Sequence, residues 1–375
     1  MRRWRHVLGL AGGMAAVAAA ALDPGAASAA AGQTWPAFVL VAGLLLVGLV
    51  AAGDHLFAAA GGRLAALAPG GTLLFAGVAG LVATVTAVLN LDTSVAFLSP
   101  VLVHTARKRG EDGVALLALC LLMSNAASLL LPGSNLTNLI VLGNHHMSGG
   151  TFFVRMALPW VGVVGVTAAV AGWAGRTTLR RRVFVDADPE RPVMGAGLAA
   201  VVAVVVLVLA VGDPAPAVAA VGVAAGAYAL TRRRIAPADV VRTLDLPVLL
   251  GLFGLAVALG ALGRDWTGPA DALRHLDPWG TAAMGAAATV LVNNLPASAL
   301  LSARPPLHPL SLLVGLDLGP NLFVSGSLAW VLWYASARAA GGRPDVARTV
   351  RTGLVAAPLS MAVAVGALLL VSSVT

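Results

Sequence analysis

Stretches of about twenty residues with almost no charge recur along this chain. Residues 193–212 carry none, and neither do residues 246–263. A helix of that length in a water-soluble fold turns one face to solvent and needs polar residues every three or four positions. A run that is apolar all round is instead long enough to cross the ~30 Å hydrocarbon layer of a bilayer. The composition agrees: 11% of the 375 residues are charged, against about a quarter in an ordinary soluble domain, and the mean hydropathy is +0.90. No charged segment is long enough to form a wet shell. The chain therefore reads as an all-α polytopic membrane protein.

The net charge of +8 would suit a nucleic-acid partner if it were concentrated in one patch, but it is dispersed over loops, so no nucleic acid is expected. Twenty of the 24 Lys and Arg fall in six segments: 2–5, 63, 107–109, 176–191, 232–242 and 338–351. Such asymmetry between loops sets orientation by the positive-inside rule. It predicts a bacterial inner (plasma) membrane protein with a cytoplasmic N-terminus, an outside C-terminus and basic loops against anionic lipid.

All basic loops land inside only if two apolar segments turn back. Residues 70–105 start and end inside, and residues 279–303 start and end outside, so each is predicted to be a re-entrant hairpin. Each precedes a segment with a polar break, 113–143 and 309–337. "PGSNLTN" at 132–138 has a counterpart in "GPNLFVSGS" at 319–327, and "NLDTS" at 90–94 in "NNLPAS" at 293–298. Opposed hairpins, each paired with a discontinuous transmembrane helix, predict two inverted repeats with the substrate near the midplane. The repeats span 35–175 and 193–375, joined by a cytoplasmic basic loop at 176–192. Residues 1–34 form an N-terminal helix with signal-like features, a basic start before a short apolar run. We read it as retained.

A break inside a bilayer frees backbone N–H and C=O groups, which cost several kcal/mol each unless paired. Pro132 and Gly133 make the first break, and Ser134, Asn135, Thr137 and Asn138 can pair the freed groups, hold a small polar solute, or do both. Asn321, Ser325 and Ser327 are their counterparts, with Asn90, Thr93, Asn293 and Asn294 at the hairpin turns. A structural kink would leave these side chains satisfied by the backbone, whereas a binding site would turn them to a common cavity. Asp92 and Asp317 are acidic residues within spans, expensive there and so candidates for proton coupling, with Asp92 also placed to cap the second hairpin arm. Asp54 and the doublet His145-His146 read as interfacial.

The lone cysteine, Cys120, excludes a disulfide framework and a Cys-rich metal site. The sequence has no HExxH, Walker or dinucleotide-binding motif, so no catalytic residue, metal or cofactor is expected.

With these residues in view, the chain resembles the ion-transporter superfamily. Within it the closest resemblance is to the bacterial arsenite efflux permeases (ArsB-type), carried by "LDTSVAFLSPV" (91–101), "SNAASLLLPGSNLTNL" (124–139), "VNNLPAS" (292–298) and "GLDLGPNLFVSGSLAWVLW" (315–333). The resemblance implies a transport domain moving against a scaffold and proton-driven export of As(III) or Sb(III). It also implies a cytosolic ATPase partner in some members, and a homodimer. Sodium/proton antiporters and organic-anion carriers of the superfamily use related turns. The chain departs from the arsenite pattern in having little helix before Trp35 and in carrying Phe323 and Val324 within the second break. One cysteine cannot build a trithiolate, so As(III) would be held as its uncharged hydroxide, a small inorganic oxyacid, by amides and hydroxyls.

Overall fold

The computed structural model describes residues 2–68, 70–143, 147–179 and 192–374, and every regular element in them is helical apart from one isolated bridge at Gly70. His145, His146 and most of the 176–192 loop lie outside the described residues. The chain opens with α1 (Arg2–Leu22), α2 (Pro24–Gly53) and α3 (Leu56–Leu67). Asp23 separates the first two and caps the second, its carboxylate accepting from the Ala26 N–H at 2.8 Å, with Pro24 at the first helical position where its missing donor costs nothing. α2 therefore runs through Trp35 without a break.

Next come α4 (Gly71–Val88) and α5 (Leu91–Lys108), then α6 (Val114–Ala127), a 3₁₀ turn (Pro132–Ser134) and α7 (Leu136–Leu142). α8 (Gly149–Leu179), α9 (Ala196–Ala210), α10 (Ala215–Thr231), α11 (Pro237–Leu244), α12 (Leu246–Asp265) and α13 (Gly268–Arg274) follow. The pattern of hairpin and broken helix then recurs: α14 (Pro278–Val292) and α15 (Asn294–Leu301), then α16 (Pro309–Leu318), two 3₁₀ turns (Gly319–Asn321 and Val324–Gly326) and α17 (Ala329–Ala339). α18 (Val346–Val374) closes the chain. The arms of the first hairpin have 18 residues each, those of the second 15 and 8. Six helical segments, including α4, are long and apolar enough to cross a membrane.

Between apolar helices in lipid, small residues let backbones approach and gain dispersion contacts. α1 packs chiefly on α12 and α2 on α10. A Cβ on Gly251 would lie 2.6 Å from the Leu8 carbonyl oxygen, and one on Gly43 2.8 Å from the Ala219 Cα. Only hydrogen fits at either crossing. Arg5 also pairs with Asp245 at 3.1 Å, fixing α1 to the start of α12.

Asp54, expected at the interface, is fully buried. Its carboxylate takes the Gly197 N–H at 2.8 Å and Arg234 Nη1 at 2.7 Å, tying the end of α2 to α9 and to the loop before α11. The backbone at the next residue, His55, turns left-handed at φ 59° and starts α3 in a new direction.

Candidate functional site

The two broken helices cross, and each break is held by the other. Asp317, the penultimate residue of α16, is fully buried. Its carboxyl lies 2.8 Å from Asn135 Nδ2 and 3.1 Å from Ser128 Oγ of the first break. Asn321 in the second break reciprocates: its Oδ1 accepts from Asn125 Nδ2 at 2.8 Å, and its Nδ2 donates to the Leu122 carbonyl at 2.9 Å. Carbonyls freed by the breaks are also paired. Asn138 Nδ2 reaches Ser128 O at 2.8 Å and Leu131 O at 3.3 Å. Indole N–H groups close two more, Trp160 on Ala127 O at 3.0 Å and Trp330 on Pro320 O at 2.8 Å. These bonds supply part of the pairing that buried backbone demands.

Beside this crossing lies a cavity of about 30 Å³ lined by Asp92, Asn135, Thr137, Asn293, Asn294 and Ser327, with Leu91, Leu136, Leu252, Leu295 and Leu328 as apolar walls. It brings together the first hairpin, the N-terminus of α7, the tip of the second hairpin, the second break and α12. Its volume holds about one or two waters. Among the described residues lining it Asp92 is the only charged one. Asp92 does not cap its helix. That role falls to Asn90, whose Oδ1 accepts the Thr93 N–H at 2.6 Å, which leaves the Asp92 carboxyl on the cavity wall. Thr137 Oγ1 is a buried group on this wall without a protein partner, as a polar group that awaits a solute would be.

Six sequence candidates stand elsewhere. Ser134 donates to Ala87 O at 2.8 Å, closing the end of α4, and Asn138 serves the break carbonyls. Asn90 and Thr93 form the cap below the cavity, and Asn321 is in the crossing. Ser325 is exposed and donates to Val290 O at 2.6 Å. Phe323 and Val324 beside it are exposed too, 49% and 37%, so they do not narrow the cavity. Asn293 has φ 78° and ψ 151°, a conformation nearly reserved for glycine. Its amide donates to Ser325 O at 3.1 Å, so the second hairpin tip is clamped to the second break.

The sequence reading missed Ser128 and Gln33. Ser128 follows Asn125 by one helical turn, a polar pair on one face. Gln33 bridges the far ends of both short helices: its Nε2 lies 2.9 Å from Ile140 O on α7 and 3.2 Å from Ser302 O after α15. Arg264 Nη2 holds the Gln33 carbonyl oxygen at 2.7 Å. Cys120 is buried with Sγ 3.7 Å from Ser99 Oγ and does not face the cavity.

A larger chamber of about 250 Å³ adjoins the cavity and shares Asp92, Leu136, Leu252 and Leu328 with it. Arg5, Arg242 and Asp245 also line it.

The profile of a family described as citrate transporters (CitMHS) matches residues 2–314. Among curated proteins, none matches the chain in sequence. Among solved structures, the YdaH transporter of Alcanivorax borkumensis, whose crystal structure is described as revealing an unusual topology, superposes with a TM-score of 0.52 at 14% identity. The match covers 90% of this chain and 86% of that one, and at that identity it is a likeness of fold.

Proposed function

Because the chain belongs to the CitMHS family of citrate transporters, and so is a transporter and not an enzyme, we propose that it carries a citrate-like organic anion across the membrane together with a proton. The observation that carries the substrate class is the family match over residues 2–314; the cavity wedged between two hairpin tips and two interlocked helix breaks marks the place of transport, and at about 30 Å³ it must widen to admit such a solute. Asp92 is its one carboxyl, and the unpaired Thr137 hydroxyl lines it beside the amides of Asn135, Asn293 and Asn294. Asp92 and Asp317 are the proton-carrying groups in this reading. The Ser128 hydroxyl has one proton and two acceptors in reach, Asn125 O at 2.8 Å and Asp317 Oδ2 at 3.1 Å. A proton on Asp317 completes both contacts, and its loss leaves one short of a donor.

The remaining site residues support this cavity: Asn135, Thr137, Asn293, Asn294 and Ser327 touch the solute, and Asn90, Thr93, Ser134, Asn138, Asn321 and Ser325 set the walls. The two hairpin-plus-break units form inverted repeats, 35–175 and 193–375, on either side of the 176–192 loop. The basic loops face the cytoplasm of a bacterial inner membrane, with the N-terminus inside and the C-terminus outside.

A second reading, export of arsenite or antimonite against protons, is favoured by one observation: no Lys or Arg lines the inner cavity, so an uncharged hydroxide would meet only amides, hydroxyls and one carboxyl. In that reading a cytosolic ATPase docks on the basic loops and the chain is a homodimer. A sodium/proton antiporter is the third.

Uptake into proteoliposomes under an imposed pH gradient separates them, with citrate, arsenite and Na⁺ offered in parallel. Citrate accumulation that collapses with a protonophore, and is lost in Asp92→Asn, is expected. Arsenite accumulation without citrate uptake would reverse the order of the first two readings. Sodium-driven proton flux alone would sink both.

A further inference from the structure

The 250 Å³ chamber has chemistry unlike that of the cavity it adjoins. Its walls are aliphatic and aromatic, including Val41, Leu45, Phe97, Val248, Leu249 and Leu332, and its charged residues fall in two groups, Asp92 on α5 and Arg5, Arg242 and Asp245 at α1 and the α11–α12 junction. Asp92 is shared with the inner cavity. Away from Asp92 the lining includes two guanidinium groups, Arg5 and Arg242, which meet the carboxylates of Asp245 at 3.1 Å and Asp239 at 3.6 Å, respectively. Arg242 is 77% exposed in its side chain and meets Asp239 at only 3.6 Å, so most of its donors are open to solvent and to an incoming anion. A polycarboxylate at rest here would bury charge against hydrocarbon. A solute with one anionic end and an apolar tail meets complementary groups along its whole length. Repulsion from Asp92 fixes its direction, carboxylate toward the two arginines and tail toward the inner cavity. Pockets of this kind, apolar with a few converging polar groups, are the ordinary form of small-ligand sites.

We infer that this chamber is a binding site for a free medium-chain amphiphilic carboxylate, seated with its head between Arg5 and Arg242 and its tail against the walls named above. A bound tail reaches the residues shared with the inner cavity, Leu136, Leu252 and Leu328, and so occludes the way to Asp92 from the side of the two arginines. The inference does not depend on which substrate the transporter carries.

The single buried cysteine makes the test direct. Ala335→Cys and Ala96→Cys each place one new thiol on the chamber wall with little change in volume, in a chain whose Cys120 is buried. The full-length variants, in phosphatidylcholine nanodiscs, are labelled with N-ethylmaleimide in the presence of decanoate. Decanoate slows labelling of both. The half-effective concentration rises roughly fifteenfold for each two carbons removed, since a buried methylene is worth about fourfold. Decanol protects less, and Arg242→Gln weakens protection by decanoate about threefold, the worth of one exposed ion pair. Arg5→Gln does the same if α1 stays docked, and the exposed Arg242 gives the test a variant that does not touch that docking.

Unchanged labelling of both thiols by all chain lengths would overturn the inference. So would equal slowing of Leu307→Cys, an exposed position outside the chamber, because that is membrane partitioning. So would equal protection by decanol, or protection by phosphatidylglycerol discs alone, which would make the occupant a lipid.

Discussion

Asp317 offers a way to separate the architecture of the crossing from its chemistry. Replacing it with alanine removes the acceptor for Asn135 Nδ2 at 2.8 Å and the contact with Ser128 Oγ at 3.1 Å. Asn135 Nδ2 is left with only a long contact to Ser128 Oγ at 3.4 Å, in a place without solvent. One or two buried hydrogen bonds and a stranded donor together cost about 2–4 kcal/mol. Asparagine is different: its carbonyl accepts from Asn135 and its amide donates to Ser128 Oγ, so both contacts persist and the cost stays under about 1 kcal/mol. The assay is equilibrium unfolding in mixed detergent micelles, followed by tryptophan fluorescence, since Trp333 is fully buried between the broken helices with its indole N–H on Leu117 O at 2.8 Å. Asp317→Ala and Asn135→Ala, combined, should show a coupling of about 1–2 kcal/mol. Asp317→Asn should fold normally yet fail in gradient-driven uptake. Strict additivity of the two alanine variants, or an asparagine variant as unstable as the alanine one, would refute the crossing as described.

Other perturbations have equally definite outcomes. Asp54→Ala strands Arg234 and the Gly197 N–H, and should lower stability by about 3 kcal/mol, as when one partner of a buried pair is removed; the same unfolding titration measures it. Gly251→Leu places a side chain where the α1 backbone lies, so limited proteolysis should release α1 from the variant and not from the parent. Asn293→Ala forces alanine into a glycine-like conformation at a cost of about 1–3 kcal/mol, whereas Asn293→Gly loses only the side-chain contacts, the bond to Ser325 O and the long cap from Leu295 N–H at 3.5 Å. Thermal melts that rank alanine level with glycine would contradict the backbone geometry at that tip. Gln33→Ala should raise hydrogen exchange at the ends of α7 and α15, and leave the α4–α5 turn unchanged.

The positions of the breaks and turns were legible because their cause is local. Proline lacks a donor and asparagine competes for backbone bonds, so "LPGSN" and "LGPN" announce a discontinuity wherever the chain is placed. The direction of each polar side chain was not legible. Asn135 and Asn138 are one turn apart, yet one faces Asp317 and the cavity while the other turns back to its own break. Ser325, equivalent by sequence to cavity residues, points outward because the second break contains two 3₁₀ turns where the first has one. Asp92 was read both as a cap and as a cavity residue, and Asn90 decides between them by taking the cap. Gln33 carried no signal, because its partners are carbonyl oxygens far along the chain. The family match to citrate transporters likewise could not be read from the turns, which carriers of different solutes share.

The interlock of the breaks also bears on how the protein is made. The bonds that satisfy Ser128, Asn135 and Asn125 come from residues 182 to 199 positions away. A ribosome adding roughly 5–20 residues per second leaves the first break in the membrane for about ten to forty seconds before its partners are synthesised. During that interval the Asn135 and Asn125 amides have only long local contacts, to Ser128 Oγ and Leu121 O at 3.4 Å, besides water or insertion machinery. The first half is therefore the aggregation-prone species of biogenesis, and a chain truncated after α8 should be the form that quality-control proteases remove.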